Sequence, residues 1–400
     1  APGTVPRAML STRQLQRAVP RGYPAAAVDA ARHALGDANK VFTRDNSSLP
    51  VTFEHRGTGG RSSISGITST VFGATGFLGR YVVNHIAKSG SRMILPSRCN
   101  ENARQHLKVM GDLGQIVSLD GFSVRDDDAI KYAVARSNVV VNMVGREWET
   151  RNFSFEAVHV DFPSRLAEIC KEVGVERLVH VSALGATETH PSKYYRTKAI
   201  GDAAVKAAFP NATIVKPAKL IGTEDRLLNV FAEHACKFPA TPLIDDGGSK
   251  HQPVFVDDVG LAIQAIVEDV TTAGKTYELA GNKVYTMEDL VKLTNIVIRA
   301  QNPKIAYIPA FIMKLLGAPH EYLLNRVPFP LPTPTGLTHS YVDAQSMDYL
   351  KNPKTPGFKE LGIEPAKLEG VVIDYLRAFR FGGYDAGSAV GQPGMDSGKH

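Results

Sequence analysis

From Ser63 onward, short runs of consecutive apolar residues alternate with longer stretches whose apolar residues recur every three or four positions. "ITSTVFGA" is β-branched and apolar, and "FLGRYVVNHIAKSG" after it has helical spacing closed by Gly90. The run "SRMILPSR" follows, then a helix or loop over "NARQHLKVMGDLG" and the strand "QIVSLD". "DDDAIKYAVARS" reads as a helix with acids in its first turn, where they suit the helix dipole. "NVVVNMVG", "RLVHVSAL" and "ATIVKPAKLIG" read as strands, separated by the helices "FPSRLAEICKEVG" and "SKYYRTKAIGDAAVKAAF". Strands alternating with helices at this spacing, and apolar nearly throughout, predict a parallel sheet covered on both faces. The expectation is α/β, a Rossmann-type doubly wound domain over 63–300, with ligands at the carboxyl ends of its strands where the order reverses.

Beyond Gly222 the pattern loosens. "VFVDDVGLAIQAIVED" reads as a strand and a helix, "TYELAG" as a strand, and "TMEDLVKLTNIVIRAQ" as a helix with Thr286 as N-cap. Residues 301–380 predict a smaller, less regular C-terminal subdomain rich in proline and apolar side chains. There Phe311, Ile312, Leu315, Leu316, Tyr322, Leu323 and Leu324 are interrupted by Lys314, Arg326 and several prolines. This stretch is too short and broken to cross a bilayer; it suits an interfacial surface or partner groove, or a subdomain packed on the sheet. The Gly/Ser-rich residues 381–400 are expected to be a disordered tail.

Composition narrows the class. With 43% apolar and 22% charged residues in 400, the chain should be mostly globular. A net charge of +6 without any run of five Lys/Arg argues against nucleic acid and fits an acidic partner or an anionic membrane surface. Cys99, Cys170 and Cys236 show no CxxC spacing, so free thiols are expected rather than disulfides or zinc. Residues 1–62 are set apart as an N-terminal extension. Arg7, Arg13, Arg17 and Arg21 stand in its first 28 residues with no acidic side chain, as in an organellar targeting segment or a flexible basic arm. "EHRGTGGRSS" then reads as a linker.

The candidate chemistry starts at "TVFGATGFLGRYV". Gly73, Gly76 and Gly79 form GxxGxxG directly after a strand, with Ala74, Thr75, Phe77 and Leu78 between them. Glycines here permit the tight turn, the close approach of a pyrophosphate and tight helix packing, while the helix N-terminus offers N–H groups to the anion. An acid that would bond a ribose 2′-hydroxyl is missing some 20 residues on; "LPSRC" supplies Ser97 and Arg98 instead, which suits a 2′-phosphate and hence NADPH. Asp120 is placed for the adenine edge, Val144 and Gly145 for the ribose and nicotinamide, and Pro217 completes the expected cofactor set. Tyr194 and Lys198 form YxxxK on one helix face; an ammonium there lowers the phenol pKa and holds the ribose.

These motifs resemble the short-chain dehydrogenase/reductase superfamily in its extended or atypical branch. "VGREWETRNFSFE" and "IVKPAKLIGTEDR" are more discriminating, and with the flanking segments over about 61–300 they look like the alpha-subcomplex subunit nine family of accessory subunits of mitochondrial respiratory complex I. The resemblance implies tightly held NADPH and no turnover. It implies a place on the matrix side of the mitochondrial inner membrane, beside the junction of the peripheral and membrane arms, touching other complex I subunits and the membrane surface. It puts the pyrophosphate on Gly73 to Gly79, the 2′-phosphate on Arg98 and the ribose on Tyr194 and Lys198, both vestigial as catalytic groups. Active members carry a second serine where this chain has Ala183 after Ser182, with Thr187 or Thr189 as substitutes. The alternatives are an NADPH-dependent reductase with Tyr194 as acid, or an NADPH redox sensor. Trp148 is left as a pocket cover, a partner contact or a side chain packed on its own domain. His180 is expected to be satisfied by a backbone bond, Asp257 and Asp258 to be N-caps, and no metal site is expected.

Overall fold

The computed structural model describes Gly60 and residues 62–300, 303–327 and 338–380. The targeting-like extension, most of the linker, nearly all of "VPFPLPTPTG" and the tail lie outside the described residues. Seven strands form one parallel sheet: β1 Thr68–Phe72, β2 Arg92–Pro96, β3 Ile116–Leu119, β4 Val139–Asn142, β5 Arg177–Val181, β6 Thr213–Pro217 and β7 Thr276–Leu279. Their spatial order is β7-β6-β5-β4-β1-β2-β3. β1 pairs with β2 on one side and β4 on the other, so the order reverses between β1 and β4. That reversal opens a crevice beyond their carboxyl ends.

Burial explains the apolar strand runs. Val139 and Val141 of β4 face one core, Val140 faces a second, and all four of its residues are buried. The first core is closed by α1 Phe77–Lys88 and α7 Val256–Glu268, through Val82, Val83 and Ile86 against Val259 and Ile263. The second is closed by α3 Asp127–Val134, α4 Phe162–Val173 and α5 Lys193–Ala208, with Ile130, Phe162, Leu166 and Val205. Each such aliphatic side chain contributes about 1.5–3 kcal/mol when buried. α2 Glu101–Lys108 follows β2.

A third core lies under α6 Leu228–Lys237, α8 Met287–Ile298 and α11 Leu368–Leu376. Leu228, Phe231, Leu290 and Val291 meet Val372 and Leu376 there, so segments on both sides of residue 300 share one core. Thr286 caps α8 in a capping box: Asp289 N–H donates to Thr286 Oγ1 at 3.1 Å and Thr286 N–H to Asp289 Oδ2 at 3.0 Å. Asp257 and Asp258 correct the expectation of caps. The α7 cap position is Phe255, while Asp257 pairs with His85 Nε2 at 2.8 Å and Asp258 accepts Ala366 N–H at 2.7 Å. The first-turn carboxylates tie α7 to other segments instead.

The irregular region resolves into a strand, Ile305–Ile308, paired with Thr241–Ile244, then α9 Ala310–Arg326 and α10 His339–Gln345. α9 buries Met313, Gly317 and Leu324 but leaves Phe311 68%, Leu315 72% and Tyr322 60% exposed. No helix among the described residues is long and apolar enough to cross a membrane.

Candidate functional site

The crevice begins at the glycine turn. Gly73 has φ +83°, and a Cβ there would lie 3.0 Å from the backbone of Met143 at the exit of β4. A Cβ on Gly79 would come within 2.3 Å of Gly73 O, so the third glycine is what lets α1 sit against the turn. Gly76 occupies the N-cap position of α1 with no side-chain cap bond, and the first turn holds no acid. The opening N–H groups of α1 are therefore free of side-chain partners, and the local dipole favours an anion.

From the turn a cleft of about 200 Å³ runs across the ends of β2 and β4, lined by Gly73, Thr75, Gly76, Ser97, Arg98, Cys99, Phe122, Met143, Val144, Gly145, Arg146 and Phe153. Phe153 reaches it from the β4–α4 loop, where Thr150 and Phe153 exchange backbone bonds of 3.0 and 3.1 Å. The guanidinium carbons of Arg98, Arg125 and Arg146 lie 5.4, 4.8 and 5.8 Å from its ring centroid. A cleft with a glycine turn at one end and cationic forks at the other fits a phosphorylated dinucleotide.

Behind Gly145, and outside the residues that line the cleft, stand Tyr194 and Lys198 on α5. Lys198 Nζ donates to Val181 O at 3.3 Å, lies 5.8 Å from the Tyr194 ring centroid, and would be 3.4 Å from a Cβ on Gly145. Burial pushes the Lys198 ammonium down to about 8. The expected lowering of the Tyr194 phenol by that ammonium is not what the structure gives. Burial raises it well above the ordinary range, and neighbouring Tyr195 and Glu147 push the same way. The ring is enclosed by Phe155, His159 and Tyr195, with centroids 6.0, 5.2 and 5.0 Å away.

Ser182 is buried, and its hydroxyl donates to Asp202 Oδ2 at 2.8 Å. Lys216 Nζ reaches the same oxygen at 3.2 Å, and His180 Nε2 stands 3.6 Å from Oδ1. His180 is satisfied by a side chain rather than the expected backbone group: Asn142 Nδ2 donates to its Nδ1 at 3.1 Å, and burial lowers the ring to about 4. His159 is held similarly, accepting Arg146 N–H at Nε2 (3.2 Å) while Nδ1 meets Thr197 Oγ1 at 3.0 Å. Thr187 and Thr189 are exposed on the surface. The C-terminal segment closes in from outside. Ser192 Oγ donates to Ser340 O of α10 at 2.8 Å, and the Tyr349 ring stacks 4.8 Å from that of Tyr195.

Of the residues expected to meet a cofactor, Gly73, Thr75, Gly76, Ser97, Arg98, Val144 and Gly145 line the cleft. Ala74, Leu78 and Phe77 instead pack on the first core, and Pro217 lies in the β6–β7 pairing. Asp120 is engaged in an ion pair with the buried Arg104 of α2. Trp148 lies under Arg226, whose guanidinium carbon is 4.8 Å from the ring centroid and whose NH1 bonds Glu147 at 3.0 Å. The sequence reading missed Arg125, Arg146 and Phe153, which stand on aperiodic loops and meet only in three dimensions. Among the described residues no group of His, Cys, Asp and Glu could hold a metal ion.

The NAD dependent epimerase/dehydratase family matches residues 69–280. A relative from Arabidopsis thaliana, NADH dehydrogenase (ubiquinone) 1 alpha subcomplex subunit 9, mitochondrial, is 42% identical over 96% of this chain and 98% of its own length. The NADH-ubiquinone oxidoreductase 40 kDa subunit, mitochondrial, of Neurospora crassa is 36% identical over 92% of each chain. The crystal structure of triphenylmethane reductase from Citrobacter sp. complexed with NADP(H) shares the fold, with a TM-score of 0.56 at 16% identity over 77% of this chain and 99% of that one.

Proposed function

This chain belongs to the alpha subcomplex subunit 9 family, within the NAD dependent epimerase/dehydratase fold, and we propose that it is a non-catalytic accessory subunit of mitochondrial respiratory complex I that holds NADPH as a built-in part of its structure. Gly73 to Gly79 and the start of α1 hold the pyrophosphate, Arg98 with Ser97 the 2′-phosphate, and Lys198 with Tyr194 the nicotinamide ribose. When bound, the nicotinamide is a hydride carrier. The observation that carries the non-catalytic reading is the commitment of Ser182: its hydroxyl is bound to Asp202, Ala183 follows it, and Tyr194 is left with a raised pKa and, among the described residues, no hydroxyl partner to relay its proton. By linkage, a ligand at 1,000 times its Kd adds about 4 kcal/mol to the folded state.

The subunit sits on the matrix side of the inner membrane and braces the junction of the peripheral and membrane arms. The exposed apolar face of α9, with Phe311, Leu315 and Tyr322, is the surface assigned to neighbouring subunits and the membrane. Two substitutions separate this reading from a reductase. Arg98→Ala lowers NADPH affinity by about 100-fold and the amount of assembled complex with it, whereas Tyr194→Phe removes one ribose contact, costs NADPH about 5-fold and leaves the complex assembled. A Tyr194→Phe chain that kept NADPH but lost an NADPH-consuming activity shown by the wild type would contradict the reading.

A further inference from the structure

The arginines around Phe153 are more than the dinucleotide reading has used. Arg98 and Arg146 line the cleft together with Phe153, at 5.4 and 5.8 Å from its ring centroid, and neither is ion-paired with a carboxylate among the described residues. Arg98 is exposed and Arg146 half-buried, so water screens part of the repulsion between the two forks; the remaining cost is relieved when an anion lies between them. The cation–π contacts offset only part of that cost. Burial and the charge of Arg98 together push the Arg146 guanidinium down, with no acid acting against them. Arg125, outside the cleft lining, lies 4.8 Å from the ring centroid, and its NH2 bonds the carbonyl of Asn152, the residue before Phe153.

We propose that Arg146 joins Arg98 in gripping a phosphomonoester dianion on the adenosine end of the bound dinucleotide, over the ring of Phe153, and that Arg125 is a positioning residue holding that ring in place. Two planar forks from different loops can each offer paired N–H groups to a phosphate, which a single arginine cannot do from both sides. Arg146 also links this grip to the cluster around Tyr194, because its own N–H donates to His159 Nε2 at 3.2 Å and the His159 ring lies 5.2 Å from that of Tyr194. The inference rests on the nucleotide reading above and adds the residues that select the phosphorylated form.

The test is calorimetric titration of the full chain, freed of nucleotide by unfolding and refolding, with NADPH, NADH, 2′,5′-ADP and 5′-AMP. Arg146→Gln is expected to weaken NADPH and 2′,5′-ADP about 30-fold while NADH and 5′-AMP bind as before. Arg146→Lys, which keeps the charge and loses the fork, recovers part of the loss. Arg125→Gln shifts the same ratio by a smaller factor, about 5-fold, and Arg125→Lys restores it. Because the phosphate sheds its second proton near pH 6, wild-type NADPH affinity rises through that pH, and the rise is shallower in Arg146→Gln. Equal weakening of NADPH and NADH by Arg146→Gln overturns the inference and leaves Arg146 a structural residue, as does an unchanged NADPH affinity. A wild type that prefers NADPH while Arg146→Gln keeps the preference removes only this inference; a wild type that binds no dinucleotide removes the nucleotide reading as well.

Discussion

The two ends of the proposed dinucleotide site are built on opposite plans. At the phosphate end the start of α1 has no side-chain cap, and Arg98 and Arg146 have no carboxylate partners among the described residues, with Arg146 NH1 donating only to Thr150 Oγ1 at 3.4 Å. At the nicotinamide end they are already engaged. Ser182 is on Asp202, Lys198 is on Val181 O, His180 is on Asn142, and Tyr194 is packed among aromatic rings. Binding a nucleotide needs free donors aimed at its phosphates, whereas turnover needs a proton path that can open and close. The first end offers donors free of carboxylate partners, and at the second Ser182, Lys198 and His180 are bonded within the protein.

Substitutions at each end sharpen that contrast. The largest effect is expected from Gly79→Ala, whose methyl would meet Gly73 O at 2.3 Å and Ala74 O at 2.6 Å. The turn must move, which should cost about 3 kcal/mol and abolish detectable nucleotide binding; denaturant unfolding and titration together check it. Intact binding in this variant would mean the glycine turn is not where the phosphates sit.

At the other end, His180 supplies a pH test. Its folded pKa, lowered to about 4 from the ordinary 6.5, means that the unfolded chain binds a proton that the folded chain does not. Stability is therefore complete above pH 6.5 and falls as the pH drops toward 4, by on the order of 3 kcal/mol from this ring. His180→Gln, which keeps an amide for Asn142, should flatten that part of the pH–stability curve without altering NADPH affinity at neutral pH. Ser182→Ala should be milder still, costing about 1–2 kcal/mol by stripping a bond from the buried Asp202, again with no change in nucleotide affinity. A loss of affinity in either variant would show that the two ends are coupled rather than separately built.

The difference also explains what could be read in advance. β1, the glycine turn and α1 were legible because strand propensity, glycine spacing and helical periodicity coincide over one short stretch. Arg98 was legible because it stands at a position where a dinucleotide fold expects an acid. Phe153, Arg125 and Arg146 were not, since their loops have no period and only the Thr150–Phe153 pairing brings them together. Asp257 and Asp258 looked like caps because adjacent acids at a strand-to-helix turn usually are, and only tertiary structure supplies His85 and Ala366 N–H as their partners. α9 was hidden by Pro319 within it and by apolar residues on both its buried and its exposed face, which leave no single stripe.

The most direct measurement is purification from its native source without added nucleotide, followed by denaturation and identification of what is released. The account predicts NADPH at one equivalent per chain, exchanging little with added nucleotide over hours. Release of no nucleotide, or of a readily exchanged and oxidised one, would contradict it.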